Sequence, residues 1–278
     1  MTASRIVGRL VTVTAAIEWE RLSEGHGLVE GPRGMADGGV LFSDVTGGGV
    51  YRWTPDDTVE TVVPRRRGIG GLVPHADGGV VVAGRDLAHV APDGTTRTLL
   101  APEGSTGIND VHATADGSVL AGVLRYRPMA NEAVVPGEVL RLAPDGTVTT
   151  MIEGIDWPNG IGLSPDERTM YVSDFARSCV WAIGTDGSDP RLVIESPRGS
   201  CDGLAVDAAG DLWVALGPGA GIAHVAPDGT LREIVDVPGA FVASVAFHGP
   251  HLLVATFGAL LRCPAPAEGQ PTPIARSS

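Results

Sequence analysis

The sequence predicts an all-β chain folded as a six-bladed β-propeller with four antiparallel strands per blade, and three observations carry that expectation. A turn signature recurs along the chain, a short apolar strand recurs upstream of each copy, and no segment sustains a helical period. The turn reads Thr54-Pro-Asp-Asp57, Ala91-Pro-Asp-Gly94, Ala143-Pro-Asp-Gly146, Thr185-Asp-Gly187 and Ala226-Pro-Asp-Gly229, with Cys263-Pro-Ala-Pro266 as a degenerate sixth copy. Proline presets φ at the second turn position, and Asp-Gly accepts the left-handed residue that the turn requires.

The apolar strands are Val40–Asp44, Val80–Gly84, Val119–Leu124, Met170–Asp174, Leu212–Leu216 and Leu252–Phe257. Each follows a second turn, such as Ala36-Asp-Gly-Gly39 or Ala76-Asp-Gly-Gly79, and a further strand opens every unit. Four strands in a period of about 40 residues describe a propeller blade. The blades are expected at 27–63, 68–100, 106–152, 157–195, 200–237 and 240–264, so that 1–278 is a single domain. The sixth runs short of a fourth strand. Residues 5–14 alternate as a strand and are expected to supply it, closing the ring and removing an exposed edge. Blade three alone is lengthened, through 125–138, by a loop expected to lie as a lid over the mouth where the innermost strands begin.

Composition excludes several functions. The 39 glycines are about double the usual share of roughly 7% and suit a chain of many tight turns. A net charge of −13 argues against a nucleic-acid or anionic-membrane partner and leaves a small molecule as the expected ligand. All 20 basic residues are arginines, so Schiff-base and lysine-base chemistry are excluded. Cys179, Cys201 and Cys263 form neither a disulfide framework nor a zinc ribbon and read as reduced thiols. No apolar run approaches the roughly 18 residues of a membrane helix. Met1 to Glu20 lacks an apolar signal-peptide core, and a cytoplasmic location is expected.

The residues that open the innermost strands carry the chemistry. They are Glu30-Gly-Pro32, Asn109-Asp110, Pro158-Asn-Gly160 and Cys201-Asp-Gly203, with Gly70-Gly71 and Ala243-Ser244 in blades two and six. Six-fold repetition brings these positions to one axis. Two carboxylates and two amides in a narrow channel require a counter-charge, because burying them alone costs several kcal/mol. The all-oxygen set of Glu30, Asn109, Asn159 and Asp202 selects a hard divalent ion, calcium first, with magnesium, manganese or zinc as alternatives. Read singly, each Asn-Gly or Asp-Gly is only a turn former.

These segments, with Pro158-Asn-Gly-Ile-Gly-Leu-Ser-Pro-Asp166 and Asp202-Gly-Leu-Ala-Val-Asp207, resemble the gluconolactonase/regucalcin (senescence marker protein) family over essentially the whole chain. The resemblance implies a six-bladed propeller holding calcium or a similar ion on Glu30, Asn159 and Asp202. It implies that Asn109 lies beside the ion to hold substrate or water, and that Asp202 is the general base. It further implies hydrolysis of sugar lactones, with relatives that act on organophosphates. The chain departs from the family pattern at Gly107, where an arginine is common, at Gly34, where an aromatic residue is common, and at Cys201 in place of proline. A substrate other than a simple sugar lactone is therefore expected.

The expected chemistry is metal-assisted opening of a cyclic ester, a carboxylic ester hydrolase reaction without a side-chain nucleophile. No Gly-x-Ser-x-Gly or His-Glu-x-x-His occurs. Asp110 and His112 are candidate proton carriers beside Asp202, although strand alternation turns His112 from Asn109's face. Arg65, Arg66 and Arg67 are candidates for a substrate carboxylate, and Arg125, Tyr126, Arg127, Asp174 and Arg177 fall in loops at the same mouth. Other readings of the same residues are a phosphotriesterase, a cyclase or isomerase of specialised metabolism, and a metal-stapled binding scaffold without chemistry.

Overall fold

A computed structural model describes residues 17–277. The strands follow the repeat. The first unit runs β1 (Glu20–Gly34), β2 (Val40–Asp44), β3 (Gly49–Trp53) and β4 (Val59–Pro64). The second runs β5 (Leu72–Pro74), β6 (Val80–Val82), β7 (Leu87–Val90) and β8 (Thr96–Leu100). In the third, β9 (Gly107–Ala113), β10 (Val119–Leu124), β11 (Gly137–Leu142) and β12 (Val148–Ile155) surround the only 3-10 turn among the described residues, Pro128–Ala130. The fourth comprises β13 (Pro158–Leu163), β14 (Thr169–Asp174), β15 (Cys179–Gly184) and β16 (Arg191–Glu195). Next come β17 (Leu204–Val206), β18 (Leu212–Ala215), β19 (Gly221–Val225) and β20 (Leu231–Asp236), then β21 (Val242–His248) and β22 (His251–Pro264). No helix among the described residues is long and apolar enough to cross a membrane.

The all-β propeller is present, and the expectation of six separate four-stranded blades is corrected. Hydrogen bonding gives five sheets, four of them four-stranded and one six-stranded in the order β21-β22-β1-β2-β3-β4. The cause is two long strands that each serve two neighbours. The first residues of β1, Glu20 to Glu24, pair with Arg262 to Ala259 of β22, whereas Val29 to Gly34 pair with β2. The proposed closing strand 5–14 lies outside the described residues. Among those described, the N-terminal half of β1 is what meets the last strand.

Packing is distributed around the ring. The innermost strands β1, β5, β9, β13, β17 and β21 touch in succession, and β21 touches β1. A separate apolar cluster sits between each pair of successive repeats, such as Leu120 with Ile161 and Leu253 with Phe42. Each fully buried side chain of this kind contributes roughly 1.5–3 kcal/mol. The recurrent turns close as the sequence requires. Gly94, at φ +84°, donates its N–H to Ala91 O at 2.9 Å, and Asp57 takes the same left-handed place at φ +61°.

Candidate metal centre

Three of the innermost strands, β1, β9 and β13, share an irregularity beside the candidate ligands. Four residues of β1 (Glu30 to Arg33) span three of β2 (Ser43 to Leu41), four of β9 (Ile108 to Val111) span three of β10 (Val123 to Ala121), and four of β13 (Pro158 to Ile161) span three of β14 (Asp174 to Val172). Such bulges leave one residue unpaired and re-aim its side chain. The first begins just after Glu30, which pairs with Ser43, and the other two enclose Asn109-Asp110 and Asn159-Gly160. Asp202 reaches the same level just ahead of β17, with its N–H bonded to Ala215 O at 2.8 Å.

The glycines beside these residues are not turn formers here; they let neighbouring innermost strands approach. A Cβ on Gly160 would overlap Leu204 N and lie 2.6 Å from Asp202 O, and one on Gly203 would lie 2.7 Å from Ser244 Cα. A Cβ on Gly71 would lie 2.6 Å from Val111 N and overlap the Asp110 carboxylate. Gly31, at φ +54°, faces Gly71 Cα at 3.2 Å from where its own Cβ would sit. The pairing of each polar residue with a glycine thus follows from the narrowness of the axis.

Electrostatics bring the predicted residues together. Burial, then repulsion from Asp202 and Asp110, pushes the Glu30 carboxyl well above its usual range. Burial, then Asp110, does the same to Asp202, opposed by hydrogen bonds from the Asn159 side chain and Gly203. Asp202 is 3% exposed and its Oδ1 has no hydrogen-bond partner. Burial raises Asp110 to about 6 although Arg33 and the N–H groups of Val111 and Ile161 oppose the shift. Asn109 is half-buried and donates from Nδ2 to Pro158 O at 3.1 Å. A buried carboxylate oxygen without a donor, beside two more carboxylates and an amide, suits a hard cation. The donor set fits a divalent ion.

Other predicted residues fall elsewhere. His112 lines a pocket with Arg33, Leu163, Leu204, Val206 and Phe247, near the far ends of the innermost strands. Burial and Arg33 hold it down to about 3, so it is neutral at working pH. Arg66 pairs with Asp86, and Arg125 with Glu138 and Glu103 O. Arg177 grips both oxygens of Asp156 at 2.7 and 2.8 Å, and Arg127 pairs with Glu132 at 2.8 Å. Asp174 accepts the N–H groups of Asp156, Trp157 and Arg177 and is structural. Tyr126 is buried, and burial first, then Asp156 and Asp174, pushes its hydroxyl above the usual value. Arg65 and Arg67 are exposed and make no ion pair among the described residues.

Gly34 requires a correction. A Cβ there would overlap the His248 ring, and Gly34 faces Val40 at the end of β1 away from Glu30. The aromatic residue missing at that position therefore reports packing against His248, not the substrate. Gly107 does open the site's own end of β9, where its missing Cβ faces Gly84 O at 3.0 Å. Cys201 is buried and its thiol is pushed up to about 12, chiefly by burial, so it is not a reactive thiol. Arg33, whose guanidinium donates to Pro32 O and Val111 O at 2.9 and 3.1 Å, was not singled out from sequence. Its place three residues after Glu30 on the bulged strand was the available signal.

A second cluster, Asp207, Asp211 and His224, has metal-like spacing. Its oxygens are already satisfied. Asp207 accepts Ala209 N, Asp211 N and Trp213 Nε1, while Asp211 accepts His224 and Arg232, which supplies the positive charge. The channel cluster has no such internal cation at Asp202.

Residues 28–257 match the family model described as the SMP-30/Gluconolactonase/LRE-like region. Pentonolactonase XacC of Haloferax volcanii is 31% identical over 236 residues, 81% of this chain and 79% of that protein. Regucalcin of Xenopus laevis is 29% identical over 229 residues, 77% of this chain and 76% of its own. The structure of XC5397 from Xanthomonas campestris, described as a gluconolactonase, superposes with a TM-score of 0.80 at 26% identity, covering 90% of each chain.

Proposed function

This chain belongs to the SMP-30/gluconolactonase/LRE-like family, and from that premise we propose that it is a metal-dependent hydrolase of a lactone. The relatives named for lactone hydrolysis support the reaction class. The observation that carries the metal is the buried, unpartnered Asp202 Oδ1 among repelling carboxylates. In this reading the six-stranded sheet is two blades sharing β1 and β22, the whole chain is one six-bladed domain, and six-fold repetition sets the ligands around one axis.

Glu30, Asn159 and Asp202 would hold the ion, calcium first, with Asn109 beside them. When bound, such an ion polarises the lactone carbonyl and neutralises the oxyanion that develops there. The residues do the rest. Asp202 takes a proton from the attacking water as the water oxygen bonds to the acyl carbon. The ring C–O bond then breaks, and the ring oxygen leaves with that proton, giving the open hydroxy acid. Asn109, held by its bond to Pro158 O, orients water or substrate by its free amide oxygen. Asp110 is anchored by Val111 N at 2.7 Å and sets the local field. The insertion 125–138, whose Tyr126 O accepts from Thr106 Oγ1 at 2.6 Å next to the start of β9, would act as a lid.

A proton-release assay on γ- and δ-lactones tests this reading. Wild-type protein should turn over at least one lactone, and Asp202→Asn or Glu30→Gln should lose about 100-fold or more. No turnover of any lactone would overturn the hydrolase and favour a binding scaffold.

A further inference from the structure

The rim above the candidate ligands is built from rings. Trp157 and Phe175 pack with centroids 4.6 Å apart, and Phe175 N–H donates to Trp157 O at 3.0 Å. They flank the start of β13, because Trp157 precedes Pro158 and Phe175 follows its partner Asp174. Beside them Gly217 leaves room for rings on both sides. A Cβ there would lie 3.3 Å from the Phe175 ring and 3.5 Å from the Phe241 ring. Phe257 continues the arc, 64% exposed, with its N–H bonded to Phe241 O at 3.3 Å. The blade-three insertion adds Met129, 91% exposed, with Val134 and Val135 also exposed. Exposed apolar groups gathered on one rim mark a binding surface more than scattered ones do.

Three arginines of this rim are already committed. Arg125, Arg127 and Arg177 are held by Glu138, Glu132 and Asp156. Tyr126 is buried, and Gly107 contributes no side chain. A polyhydroxy ligand lying along the ring faces would leave the hydroxyls that meet them without partners, at a cost for each one.

We propose that the substrate is a lactone bearing an apolar aryl or alkyl substituent, which lies along the Trp157–Phe175–Phe241–Phe257 arc while its carbonyl faces Asp202. This rests on the lactone-hydrolase reading and narrows it to a substrate class. Ring-on-ring contact with Phe175 and Phe241 gives the substituent both area and orientation.

The test is kcat/KM on γ-phenyl-γ-butyrolactone, δ-decalactone, unsubstituted γ-butyrolactone and glucono-1,5-lactone. The first two should exceed gluconolactone by about tenfold or more, as expected when apolar contacts discriminate. Phe241→Ala should lower kcat/KM for the phenyl lactone about tenfold and for butyrolactone by less. Phe257→Ala, at an exposed position where the fold is not at stake, should act in the same direction. Independently of turnover, the ring-opened phenyl hydroxy acid should quench tryptophan fluorescence saturably, and Trp157→Phe should abolish the quench. Preference for gluconolactone, or equal losses on all four substrates, overturns this inference and leaves the hydrolase standing. Failure to open any lactone overturns the hydrolase reading and this inference with it.

Discussion

Replacing Asp202 by asparagine should stabilise the ion-free protein and abolish its stabilisation by calcium. The side chain is buried, its Oδ1 has no donor, and Asp110 repels it. Keeping neighbouring Asp110 ionised at pH 8 in the fold, where its value is about 6 instead of the ordinary 3.8, costs about 3 kcal/mol relative to the unfolded chain, at 1.36 kcal/mol per unit. Removing the Asp202 charge removes a penalty of the same kind, burial first and then repulsion from Asp110. With an unfolding entropy of roughly 0.6 kcal/mol/K for 278 residues, a relief of about 2–3 kcal/mol raises Tm by about 4–5 °C. An ion that binds only the folded wild type at one hundred times its Kd adds about 2.7 kcal/mol, again about 5 °C. Calorimetry at pH 8, in chelator and then in excess calcium, separates the two effects. Asp202→Asn should melt above wild type in chelator and gain less than about 1 °C from calcium. A variant that melts lower in chelator and keeps the full calcium increment would refute the reasoning.

Other outcomes follow from the same geometry. In chelator, the raised Asp110 keeps its proton longer when folded than when unfolded. Stability therefore falls as pH rises from about 4 to about 6 and stays lower above that. Thermal melts at pH 5 and 8 should show the drop without ion, and added calcium should shrink it. Gly160→Ala forces a Cβ against Leu204 N and Asp202 O; it should cost about 3 kcal/mol, read as a lower urea midpoint, and weaken calcium binding. Cys201, raised to about 12 and buried, should resist thiol reagents in the folded protein and react fully on unfolding.

Turns and short strands were legible because each is fixed by local chemistry: proline, Asp-Gly and runs of valine act within a few residues. The candidate ligands were picked out by their phase in the repeat. What failed was set by contacts between distant segments. Gly160 and Gly203 look like turn glycines in sequence, yet their role comes from the approach of Leu204 and Ser244. The bulges at Glu30, Asn109 and Asn159 leave no local trace. Arg66, Arg125 and Arg177 looked available for substrate because Asp86, Glu138 and Asp156, which hold them, lie 13 to 21 residues away. The fusion of first and last repeats depends on Glu20 to Glu24 meeting β22, a pairing between the two ends of the chain.

The most direct measurement is to titrate calcium into chelated protein, reading bound ion and lactone turnover in the same samples. Turnover should rise from near zero in proportion to bound ion and saturate at one ion per chain. Asp202→Asn and Glu30→Gln should neither bind nor turn over. Full turnover in chelator, or turnover unrelated to the ion bound, would contradict the assignment of this channel as a metal-dependent catalytic centre.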